Sequence, residues 1–220
     1  METAFQGEYT MQLRYLLSAL ALAASVSVHA QAPSAPALPR PAEFYFDADA
    51  MTTRPVVAVR GSGDAVTERL LRTITRDPHA KAEHAQLAHL AMAGGRPDLG
   101  RELYARALAR VDSADALWRP VLWNYGWDLY RDGDAAAALE QWSSLITSRS
   151  STAAWVPPTL ALVLWKLDRQ AEALDWYAAA VRTEPQQWNT AARFAELLPE
   201  WRDEERATLA QVHAAWSLAQ

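Results

Sequence analysis

Residues 121–146 read VLWNYGWDLYRDGDAAAALEQWSSLI, and this stretch decides the fold. It predicts two short helices joined by a turn at Arg131-Asp132-Gly133-Asp134, where a glycine ends one helix and an aspartate opens the next. The first helix is apolar on nearly every side. Leu122, Tyr125, Gly126 and Leu129 form one face at helical spacing, and Trp123, Trp127 and Tyr130 form a second at i, i+4 and i+7. A helix that only caps a core needs one apolar stripe, so a helix with two is covered on both sides. The cover over the tryptophans is a ligand, a partner or another part of the chain.

Working outward, the same punctuation continues in both directions. Asp77-Pro78, Gly94-Gly95, Glu184-Pro185 and Leu198-Pro199 each stop a helix, and Pro97 stands in a favoured first turn. Nine helices are expected, over 65–76, 79–93, 97–111, 114–131, 134–147, 154–167, 170–183, 186–197 and 202–218. No strands are expected among them. Upstream, residues 44–60 are strand-like in composition (Phe44-Tyr45-Phe46, Val56-Val57-Ala58-Val59) but have no strand partners, so 44–63 is read as an extended docking segment. Gly61-Ser62-Gly63 lacks the third glycine and the alternating strands of a dinucleotide site, and reads as a turn feeding a helix.

The remaining N-terminal portion reads as an address. From Met11 a single Arg14 leads an apolar run, residues 15–28, that ends in small residues, which is the layout of a secretory signal peptide. Residues 1–10 carry Glu2 and Glu8 and no base, so the working start is Met11. Cleavage is expected after Ala30, with Ala32 as second choice, and 31–43 is a Pro/Ala linker. The expected location is the periplasm or the exterior of a bacterium. Absence of cysteine excludes a disulfide framework, a Cys-based zinc site and a lipid-attachment cysteine. A net charge of −5 with no basic run argues against nucleic acid. His79, His84 and His89 recur every fifth residue, too far apart around a helix to converge on one metal. No nucleophile–base arrangement, phosphate loop or cofactor motif is present in the sequence. Ten tryptophans are more than a core of this size requires.

Successive second helices carry one pattern. Gly100, Tyr104 and Ala107 are followed 38 residues later by Ala138, Trp142 and Leu145, and 35 residues after those by Ala173, Tyr177 and Ala180. Leu87-Ala88, Tyr125-Gly126 and Leu160-Ala161 stand at matching places in the first helices. Small residues let one helix approach its neighbour, and the aromatic fills the gap one turn on. Gly126 in mid-helix is unfavourable by about 1 kcal/mol against Ala, so it marks a close helix contact.

A helix-turn-helix unit with this pattern resembles the tetratricopeptide repeat, over residues 81–185 as three repeats, with Pro185 at the family's closing-proline position. The first two repeats lack that proline and are longer than the family's norm. Residues 188–218 resemble a degenerate fourth repeat whose last helix is a polar cap. The resemblance implies an all-α fold: an α-solenoid of stacked antiparallel helix pairs in a right-handed superhelix, spanning 64–220. It also implies a concave groove lined by first helices. By register that groove would present His89, Met92, Trp123, Trp127, Tyr130, Arg131, Trp155, Leu162, Trp165 and Lys166, unless neighbouring helices bury the same aromatics. The implied function is a non-catalytic scaffold of the cell envelope binding a peptide or protein partner, without cofactor, nucleic acid or integral membrane segment. The alternative is a glycan or small ligand on the same aromatic wall. The 44–59 segment is expected to fold back onto the array, either over the tryptophans as an internal plug or on the opposite side.

Overall fold

The computed structural model describes residues 38–41, 47–149 and 151–220. The signal-peptide and cleavage expectations, and the burial of Phe44, Tyr45 and Phe46, fall outside them. Among the described residues every regular element is helical. The long helices are α2 (Asp64–Arg76), α3 (Lys81–Ala93), α4 (Pro97–Leu108), α5 (Trp118–Arg131), α6 (Ala135–Thr147), α7 (Val156–Lys166), α8 (Gln170–Thr183) and α11 (Asp203–Leu218). Single turns fill the gaps: α1 (Ala50–Thr53) precedes them, and α9 (Pro185–Trp188), a 3-10 turn (Ala191–Arg193) and α10 (Phe194–Leu197) lie before α11. No helix among these residues is long and apolar enough to cross a membrane.

The hairpins α3–α4, α5–α6 and α7–α8 close in one way. Gly95, Gly133 and Asp168 take positive φ, at 71°, 94° and 57°. The next residue then donates its N–H across the turn: Arg96 to the Ala91 carbonyl (2.9 Å), Asp134 to Leu129 (2.9 Å) and Arg169 to Leu164 (3.0 Å). This is the six-to-one bond that satisfies an orphan helix carbonyl. The three turns are 133 − 95 = 38 and 168 − 133 = 35 residues apart, the spacing of the second-helix pattern. Asp168 does by side-chain tolerance what glycine does at the other two turns. Asp134 also caps α6, accepting the Ala137 N–H on its carboxylate (3.0 Å).

Each hairpin packs on the next. α2 lies on α3, both helices of the first hairpin meet α5, α6 meets α7, and α11 closes the end against α7 and α8. All nine pattern residues are buried, from Gly100, Tyr104 and Ala107 to Ala173, Tyr177 and Ala180. Gly126 backs directly onto Trp142: a Cβ there would lie 2.3 Å from the indole nitrogen. The cap helix sets Leu209 and Val212 in the core and brings Trp216 to 5.7 Å from the Tyr177 ring.

Helix ends shift, α4 stopping at Leu108 rather than 111 and α5 starting at Trp118 rather than 114, and two further stretches differ from the sequence expectation. Residues 50–53 form a helical turn within the segment read as extended, started by Asp49 in left-handed geometry (φ 41°, ψ 43°). Residues 186–197 do not form one helix, because Thr190 is extended (φ −146°, ψ 136°) and its hydroxyl accepts the Ala192 N–H (3.3 Å). That local bond restarts the chain and outcompetes helix continuation.

Candidate functional site

The tryptophan face of α5 is covered by the chain itself. Trp123, Trp127 and Trp155 are each under 9% exposed, and Leu162 is fully buried. Trp123 packs on Trp155 (4.7 Å between centroids) and Trp127 on Trp142 (5.2 Å), in edge-on arrangements that suit the aromatic quadrupole. The outer cover on Trp127 is Trp201, 5.1 Å away, delivered by the loop before α11. Arg131 lies over the same indole at 5.0 Å and pairs with Glu205 of α11 (2.8 and 3.1 Å). Of the ten expected groove residues, Trp123, Trp127, Trp155 and Leu162 therefore belong to the core, and Arg131 fastens the cap helix. Met92, Tyr130 and Trp165 are half-buried, Trp165 reaching Gln211 (3.3 Å). His89 and Lys166 are exposed.

A polar line runs along the first helices beside that wall. His89 on α3 places Nδ1 3.0 and 3.1 Å from the two oxygens of Asp128 on α5. Asp128 is buried and also accepts the Tyr104 hydroxyl (2.6 Å). The hydrogen bond to Asp128 raises the His89 pKa above its ordinary value, against the opposing effect of burial, and burial pushes the Tyr104 phenol well up. An imidazole on a buried carboxylate is half of a general-base pair. Among the described residues no hydroxyl is hydrogen-bonded to this imidazole, so the pair ties α3 to α5.

The N-terminal segment docks across the same helices. Gln86 of α3 accepts the Ala58 and Val59 N–H groups on Oε1 (2.9 and 2.8 Å) and donates Nε2 to the Val59 carbonyl (2.8 Å). Asn124 of α5 donates to the Arg54 carbonyl (2.9 Å). Asp49 is the anchor. Its carboxylate receives Arg119 Nη2 (3.1 Å), Arg149 Nη1 (2.7 Å) and the Trp155 indole N–H (3.1 Å). Asp47 meets Arg149 Nη2 at 2.5 Å and its carbonyl accepts the Ala154 N–H at 3.0 Å. Burial alone would raise the Asp49 pKa, but the hydrogen bonds from Trp155 and Thr52, with the Arg119 charge, hold it below the ordinary value. Beside this anchor, Pro39, Arg119, Arg149 and Trp155 line a cavity of about 190 Å³.

Sequence reasoning expected the segment to fold back, without choosing between the tryptophan face and the opposite side, and missed Gln86, Asn124, Arg119, Arg149 and Asp49. One signal was present: Gln86 and Asn124 are 124 − 86 = 38 residues apart and each stands one place before the paired positions Leu87-Ala88 and Tyr125-Gly126. Two side-chain amides at one register of successive hairpins mark a backbone-reading track. In the third hairpin the same register holds Thr159, buried, with a hydroxyl that finds no partner. No known protein-family model, curated protein or solved structure matches this chain.

Proposed function

We propose that the chain is a non-catalytic scaffold of the tetratricopeptide type, exported to the bacterial envelope, that binds an extended peptide segment of a protein partner along the first helices of its hairpins. The solenoid reading is supported by the three equivalent turns, the buried repeat pattern and the hairpin-on-hairpin packing. One observation carries the binding reading: Gln86 and Asn124 already hold a piece of polypeptide by its backbone groups. Backbone recognition by side-chain amides gives affinity without requiring one sequence. A glycan would need open aromatic faces, and of the four tryptophans expected to supply them three, Trp123, Trp127 and Trp155, are covered and Trp165 is half-buried. The peptide reading is therefore preferred.

Affinity purification of the full chain from envelope extract, alongside Gln86→Ala and Asn124→Ala variants, tests this. A protein retained by the parent and lost from both variants supports the scaffold. Retention of polysaccharide instead, or of the same protein by all three chains, overturns peptide binding on this track.

A further inference from the structure

Resting on that scaffold reading, we infer that residues 47–59 are an internal stand-in for the partner, and that the partner is an extended acidic peptide whose carboxylate takes the place of Asp49 between Arg119 and Arg149. The site is built for a carboxylate. Asp49 keeps only 5% of its side chain exposed, and its two oxygens are shared among two guanidiniums and one indole N–H. Fork-shaped donors on a carboxylate are the geometry for which arginine is best suited.

The charge balance points the same way. Among the described residues, the partners of Arg119 other than Asp49 are neutral: the Thr52 and Ser148 hydroxyls and the Leu145 carbonyl. Beyond Asp47 and Asp49, Arg149 has among the described residues only the Ser151 hydroxyl. Lift the segment away and, among the described residues, the two guanidiniums lose every carboxylate partner, a state that an incoming carboxylate relieves.

The segment is also held in a manner that permits exchange. Among its described residues only Thr52 and Val59 are buried, while Met51 and Val57 are more than half exposed. Directed polar contacts hold it, with little apolar burial. Asp49 sits in left-handed geometry, which aspartate tolerates less readily than glycine and which a ligand free to adopt extended backbone avoids. Gly61 (φ 119°) and Gly63 (φ 74°) form the joint to α2. A tethered segment competes at an effective concentration in the millimolar range, so it sets a threshold that only a matching partner crosses.

The probe is a synthetic peptide of residues 47–59, DADAMTTRPVVAV, with a second peptide in which both aspartates are asparagine. A third has aspartate at the same two places and alanine elsewhere. Hydrogen exchange on the unmodified full-length chain reads whether excess peptide releases the Ala58 and Val59 amides. Both acidic peptides should speed their exchange several-fold, and the asparagine peptide should leave it unchanged. An Asp49→Ala chain, with helicity checked by circular dichroism, should bind the labelled acidic peptides at least tenfold more tightly than the parent. Adding Arg149→Ala should abolish that gain. Equal action by the asparagine peptide overturns the acidic requirement and leaves the scaffold reading intact. No effect of any peptide on the parent chain overturns displacement, whatever the variants do. A concentration-dependent dimer of the parent, lost on adding acidic peptide, would make a second copy the occupant and overturn the assignment to a separate partner.

Discussion

Replacing Gly126 by alanine sets two effects against each other, and the structure decides which wins. In an exposed helix the change would gain about 1 kcal/mol from intrinsic propensity. Here the added Cβ would lie 2.3 Å from Trp142 Nε1 and 2.6 Å from Cε2, far inside van der Waals contact. Trp142 is fully buried and cannot swing aside. Its indole packs against Trp127 and Trp123 (5.2 and 6.1 Å between centroids) and against Tyr130 (6.3 Å). Overpacking costs about 1–3 kcal/mol, and an indole held on every side puts this case in the upper half of that range, so after the propensity gain the net change should be a loss of about 1–2 kcal/mol. For a domain of this size that corresponds to a Tm lower by roughly 2–8 °C. Gly100→Ala is the control. Its Cβ would meet Met92 Cγ and Sδ at 2.4 and 2.5 Å, in a side chain that can change rotamer, and the Ala88 carbonyl at 3.2 Å, so the overpacking left after Met92 moves is small enough to offset the propensity gain. It should be near neutral. Thermal melts showing Gly126→Ala as stable as the parent, or both variants equally impaired, would refute the argument that this glycine exists for the indole.

Three other outcomes are expected. Thr159→Val should raise stability by about 1 kcal/mol in denaturant melts, because the buried hydroxyl has no hydrogen-bond partner and the replacement keeps its shape. The His89–Asp128 contact should stabilise at low pH. A raised folded-state pKa contributes stability that is fully present below the unfolded value of about 6.5 and is lost as pH rises through the folded value. The stability gap between parent and His89→Ala should therefore be wider at pH 5.5 than at pH 8.5. Intact-mass analysis of exported protein should show a chain beginning at Gln31 or, as second choice, Pro33; one beginning at Met11 would refute cleavage.

The parts of the fold that depend on near neighbours in sequence were legible. Gly94-Gly95 and Gly133 announce their turns, and the spacing of Gly100, Ala138 and Ala173 gives the register of the hairpins, because small residues at helix contacts leave a period. Asp168 was not recognised as the third equivalent turn, since aspartate adopts left-handed geometry only where the surrounding bonds hold it there. The two apolar faces of α5 correctly demanded a cover. Its identity was hidden: Glu205 lies 74 positions from Arg131, and Asp49 lies 106 from Trp155. Pattern along one helix carries no information about which distant residue completes it. The same limit explains why tryptophans read as a ligand wall turned out to be packed by Trp201 and by one another.

A wall of indoles by itself accepts any apolar cover, so what selects the cap helix is the charge buried with it. Glu205 is 2% exposed and receives Arg131, itself 23% exposed and stacked on Trp127, on both oxygens, and its Oε2 also accepts the Arg202 N–H (2.7 Å), capping the start of α11. Removing one member of such a pair leaves a buried charge uncompensated, whereas removing both charges can be nearly neutral. Arg131→Met alone should therefore cost about 3 kcal/mol, at the low end of the range because part of the guanidinium reaches water. The double variant Arg131→Met with Glu205→Gln keeps the capping acceptor at α11 and removes both charges, so it should recover to within about 1 kcal/mol of the parent. A double-mutant cycle by denaturant unfolding measures the coupling, expected at about 2 kcal/mol or more, the excess being the cost of Glu205→Gln alone. Coupling under about 0.5 kcal/mol would mean that Trp201 and the apolar face of α11 seat the cap without help, and that the ion pair only follows where the indoles lead.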